Sequence, residues 1–105
     1  MSETPKTIIA PLVHMNGTSK DVLQGDLMNA ARAIRTAQDA LKETCPNARD
    51  YYPLKEANAF QRARDEYWIR QEHLQLVYNE LLALFEAIDQ RQTEAEPMPP
   101  NARQG

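Results

Sequence analysis

Two short segments hold the residues best suited to binding a ligand. The first, Asn16-Gly17-Thr18-Ser19-Lys20, joins an Asn-Gly turn signal to two hydroxyls and an ammonium. Placed before a helix, such a segment offers unpaired backbone N–H groups to an anion, the ordinary physics of a phosphate site. The same residues also read as a simple cap. Thr18 or Ser19 suits the N-cap, and Asp21 stands three residues after Thr18, where a capping-box acid reaches back. The second segment, Arg49-Asp50-Tyr51-Tyr52, offers aromatic faces to a base and a guanidinium to a phosphate. Packing at the end of a hairpin is its plainer use.

Conventional catalysis lacks its parts. His14 and His73 fall in different elements, and neither has a ligand-type spacing to a partner. Glu72 and His73 are adjacent, about 100° apart on a helix, and so do not share a ligand face. No nucleophile elbow, phosphate-binding glycine loop or dinucleotide fingerprint occurs. The expectation is therefore a non-enzyme with no metal and no cofactor. Cys45 is the lone cysteine, which excludes an intrachain disulfide. Next to Pro46 it reads as a small packing residue, with a reactive thiol as the alternative.

Two helices must position these segments. Leu23, Leu27, Ala30, Ile34, Ala37 and Leu41 step by four and three, a period near 3.5, so the spacing predicts a helix over about 19–44. Its alanines allow close approach of a neighbour, and Gly25 reads as a candidate close contact. Pro46 ends the pattern. The second helix is predicted over about 58–91, with a stripe at Phe60, Ala63, Tyr67, Leu74, Val77, Leu81, Leu84 and Ile88. Arg70 fills the gap in that stripe. It is read as an ion-pair partner of Glu66 four residues earlier, or as a buried anion contact.

The remaining segments are simpler. Residues 1–18 read as an extended arm and turn, because Pro11 interrupts the apolar run Thr7 to Val13. The proline-bearing stretch 93–105 reads as a disordered tail. The fold class expected is all-α: a long antiparallel αα-hairpin with an extended N-terminal arm, assembling into a homo-oligomeric helical bundle. Trp68, Leu76, Leu82 and Phe85 lie outside the narrow stripe and would stay wet in a lone hairpin, which motivates the oligomer, a dimer or tetramer.

Composition narrows the partners. The chain has 105 residues, 42% hydrophobic and 26% charged, with fifteen acids against twelve bases and a net charge of −3. Such a balance argues against a sequence-independent grip on polymeric nucleic acid, which needs a clustered basic face. No apolar run is long enough for a membrane span, and Met1 to Lys6 does not resemble a secretory signal, so a cytoplasmic setting is expected.

The order His14-Met15-Asn16-Gly17-Thr18-Ser19, then a helix, then Cys45-Pro46-Asn47-Ala48-Arg49-Asp50-Tyr51-Tyr52-Pro53 resembles a group of small helical proteins of phages and prophages. Their pattern has an Asn-Gly-Thr-Ser turn and an Asn-Gly-Arg-Asp-Tyr-Tyr-Pro loop. The resemblance covers about residues 12 to 90 and departs at Ala48, where glycine is usual. The group is similar in turn to phage sponge proteins, which sequester cyclic-nucleotide immune signals of bacterial defence systems in helical oligomers. The resemblance implies a cyclic nucleotide held without cleavage in the host cytoplasm, with Asn16, Thr18, Ser19, Arg49, Tyr51 and Tyr52 as binding residues. Its competitor is a helical protein-interaction module with no small ligand. The two candidate segments are separated by about twenty-six helical residues, roughly 39 Å, so only a second, antiparallel chain could join them in one site.

Overall fold

The computed structural model describes residues 8–95, with side-chain surroundings through residue 90. Two helices make up the fold, α1 over Lys20–Lys42 and α2 over Ala59–Ala95, joined by a segment with a short 3-10 turn at Ala48–Asp50. No strand occurs among the described residues. Thr93, Glu94 and Ala95, assigned to the tail by their sequence, continue α2. Residues 1–7 of the expected arm and 96–105 of the expected tail lie outside the described residues.

Each helix end has a local cause. Ser19 caps α1, its Oγ accepting from the Val22 N–H at 3.3 Å. That places Val22, not Asp21, at the capping-box position, so the expected box does not form. Asp21 instead sits in the first turn, where its charge complements the helix dipole. At the other end Glu43 is the C-cap, and the Thr44 hydroxyl donates to the Leu41 carbonyl at 2.7 Å. Asn58 opens α2 with φ 59°, the one positive φ among the described non-glycine residues. Asparagine tolerates that left-handed conformation better than most side chains. Ala48, at the glycine position of the resembled loop, lies in the 3-10 turn and needs no such freedom.

The helices run in opposite directions. Gln24 reaches Phe85 and Asp89, Arg35 reaches Gln75 and Tyr78, and the Gln38 carbonyl receives Gln71, so partners descend along α2 as they ascend along α1. The interface departs from the expected stripes in a consistent way. On α1, Ala31 and Gln38 are buried while Ala30 and Ala37 are exposed. On α2, Gln71 fills the gap, Tyr78 is half-buried and Val77 is 40% exposed. Alanine gains little from burial, whereas the Gln38 amide finds hydrogen-bond partners on this side. Polar satisfaction thus rotates the seam by one residue. Arg70 is exposed and lies 4.0 Å from Glu66, the ion-pair reading rather than a buried anion contact.

The arm lies on this chain's own helices. Ala10 is buried, and Pro11 lines an apolar cavity of about 220 Å³ together with Leu23, Leu27, Leu84 and Ile88. Cys45 is exposed, not a packing residue, and lies beyond the end of α1. Gly25 has open space around it: a Cβ there meets nothing within 4 Å. Gly25→Ala should therefore stabilise the protein by about 1 kcal/mol, seen as a higher denaturation midpoint. A loss of stability would mean that another chain packs against this position.

Candidate functional site

The Asn16–Lys20 segment forms a turn in which the Gly17 N–H donates to the His14 carbonyl at 3.1 Å. A Cβ at Gly17 would come within 2.7 Å of the exposed His14 ring, which would have to swing aside. Asn16, Thr18 and Ser19 are exposed. The ammonium that the sequence offers to an anion is already engaged: Lys20 Nζ lies 2.8 Å from Asp89 Oδ1, and the Gln24 amide also donates to Asp89. These contacts clip the start of α1 to the far end of α2. Hydrogen bonds from Lys20 first, then Gln24, and the nearby Lys20 charge hold the Asp89 pKa below its ordinary value.

The second segment sits at the opposite end of the hairpin. Asn47 caps the 3-10 turn, its side chain accepting from the Arg49 N–H at 3.1 Å. The turn splits the tyrosines. Tyr51 is half-buried with its ring 6.3 Å from Phe60, while Tyr52 is 81% exposed. The Arg49 side chain is exposed and has no side-chain partner among the described residues. Beside it, a cleft of about 170 Å³ is lined by Tyr51, Leu54 and Ala63, with Arg62 paired to Glu56 at 2.5 Å. The twenty-three residues of α1 hold the two segments about 35 Å apart, so one chain does not bring them together.

Another cavity lies between them and was not evident from the sequence. It is a groove of about 440 Å³ along the middle of the hairpin, with Gln38, Tyr67, Gln71 and Gln75 inside and Arg35, Lys42, Trp68 and Glu72 around it. An amide network spans it. Arg35 Nη1 donates to Gln38 Oε1 at 2.9 Å and to Gln75 Oε1 at 3.2 Å, and its guanidinium lies 3.8 Å over the Tyr78 ring. Gln38 Nε2 donates to Gln75 Oε1, and Gln71 Nε2 donates to both the Gln38 carbonyl and the Tyr67 hydroxyl. The available signal was the placement of Gln38 between Ile34 and Leu41 at seam spacing. A glutamine carries no apolar signal, so periodicity alone does not mark it as part of the seam.

Among the described residues no three His, Cys, Asp or Glu side chains are grouped closely enough to hold a metal ion. No described helix is long and apolar enough to cross a membrane. In comparisons with known proteins, no family model, curated protein or solved structure matches this chain.

The Lys20–Asp89 clip has a defined pH signature. With its folded pKa depressed, Asp89 contributes stability that is present above its unfolded value, about 3.9, and is lost as pH falls through the lower folded value. Asp89→Asn should lower the urea midpoint at neutral pH, and the difference from the parent should vanish well below pH 4 or so. High salt should narrow the neutral-pH difference because the pair is solvent-exposed. An unchanged midpoint at every pH would mean that the clip contributes nothing.

Proposed function

We propose that this chain is a phage or prophage small-molecule-binding protein that sequesters a cyclic-nucleotide immune signal without cleaving it. The observation that carries this reading is the hairpin end: Arg49, whose guanidinium has no partner among the described residues, and Tyr52, whose ring is exposed, lie three residues apart in the loop that holds the capped 3-10 turn. A cation and an aromatic ring exposed in one loop suit a phosphate next to a base. The resemblance of the turn and loop to the sponge-associated pattern supports the same ligand class.

In this reading the site is completed by a second copy. Ile69 and Leu76, 49% and 50% exposed and seven residues apart, lie roughly opposite Tyr67, Gln71 and Tyr78 on α2, with Val77 at 40% on the flank, an exposed apolar patch. Packing of that face against an antiparallel copy would form a homo-oligomeric bundle. It would also carry Asn16, Thr18 and Ser19 of one chain toward Arg49, Tyr51 and Tyr52 of another. Thr18 and Asn16 are free to contact a ligand there, while Ser19 serves α1 as its cap. The protein-interaction alternative is favoured by a different observation: Ile9 at 88% and Met15 at 96% exposure place two large apolar side chains in water near the arm.

Two double variants separate these readings. Arg49→Ala with Tyr52→Ala should abolish cyclic-nucleotide binding in calorimetric titrations while leaving helix content and assembly unchanged, because both side chains are exposed. Thr18→Ala with Asn16→Ala should do the same. Binding that survives both pairs, or a nucleotide recovered cleaved after denaturation of the complex, would overturn the proposal.

A further inference from the structure

The central groove contains hydrogen-bonding capacity that the network leaves unspent. Tyr67 is 3% exposed and Gln71 is 9% exposed, so they form the groove's floor. The Tyr67 hydroxyl accepts from Gln71 Nε2 at 3.0 Å, and no acceptor among the described residues takes its own proton. Gln71 Nε2 is spent on that hydroxyl and on the Gln38 carbonyl at 3.1 Å. The carbonyl can only accept, which fixes the amide's orientation. Gln71 Oε1 is then left with no donor among the described residues. A buried O–H donor and a buried C=O acceptor therefore sit side by side on two residues one helical turn apart. Leaving such groups unpaired is costly, so a site of this kind favours a ligand that satisfies both.

The rim supplies what the floor lacks. Trp68 follows Tyr67, packs edge-on to its ring at 5.1 Å between centroids, and is 55% exposed, leaving indole surface for stacking. Arg35 and Lys42 bring positive charge to the same groove, where Glu72 opposes it; the exposed Lys42–Asp39 pair, at 3.4 Å, is one that a phosphate would compete for. The volume of about 440 Å³ lies within the range of small-ligand pockets. We infer that this groove is a second binding site, independent of the hairpin ends and of assembly, for a nucleoside monophosphate. A planar base with an adjacent donor and acceptor would meet Gln71 Oε1 and the Tyr67 O–H, stack on Trp68 and direct its phosphate to Lys42. Each contact uses one chain only.

Trp68 is the single tryptophan of the chain, so its emission reports on this groove directly. The experiment is a fluorescence titration of the full chain with uridine 5′-monophosphate, whose ring N–H and adjacent carbonyl match the floor. The proposal requires saturable quenching. Binding should weaken about tenfold for the 3-methyluridine analogue, which lacks the donor, and about tenfold for Tyr67→Phe, which keeps the ring and removes one hydroxyl. Lys42→Ala should weaken the nucleotide but not the free nucleoside. The Arg49→Ala/Tyr52→Ala variant should bind as the parent does, which separates this site from the proposed sponge site. No saturable quenching at millimolar nucleotide would overturn the inference. So would equal affinity for the methylated analogue.

Discussion

Gln38 and Gln71 meet where the two helices cross the middle of the hairpin, and the rest of the structure depends on that polar contact. Apolar seams built on leucine and alanine can slide or rotate by a residue at small cost, because neighbouring side chains are interchangeable. Buried amides cannot, since each must keep its partner. The Gln71-to-Gln38 hydrogen bond and the Arg35–Gln38–Gln75 cluster therefore fix both the register and the rotation of α1 on α2. The arm seated at Ala10 and the clip from Lys20 and Gln24 to Asp89 hold one end in the same register.

The proposed assembly rests on what this arrangement leaves outside. Fixing the seam on the glutamine side turns Ala30 and Ala37 of α1, and Ile69, Leu76 and Val77 of α2, toward solvent. Among the described residues Ile88 is the one large side chain that is fully buried. A hairpin with so small a core has reason to associate through its open faces, which is the basis of the assembly proposed above. Rigid α1 in turn keeps the turn and the tyrosine loop a helix-length apart, so any ligand that touches both must bridge chains.

Much of the architecture was legible in the sequence because its signals are local. The Asn-Gly turn, the serine cap, the helix-ending Pro46 and the 3.5-residue period located both helices within a few residues. Periodicity fails where it cannot rank alternatives. Ala30 with Ala37 and Ala31 with Gln38 are equally spaced from Leu27, Ile34 and Leu41, and only the partners on α2 decide between them. The same ambiguity concealed the groove, since its floor consists of residues whose burial is justified only by each other. Lys20 was legible as a cation at a helix start, but not as one committed to a carboxylate sixty-nine positions away.

The central proposal is that a second copy covers the open face of α2. Its most direct test is the solution mass of the full chain by sedimentation equilibrium, for the parent and for Ile69→Glu with Leu76→Glu. A multiple of the 12.0 kDa chain mass for the parent, with dissociation of the double variant, is the predicted result. A parent that sediments as a 12.0 kDa monomer at every concentration, with an unfolding midpoint independent of concentration, would contradict it.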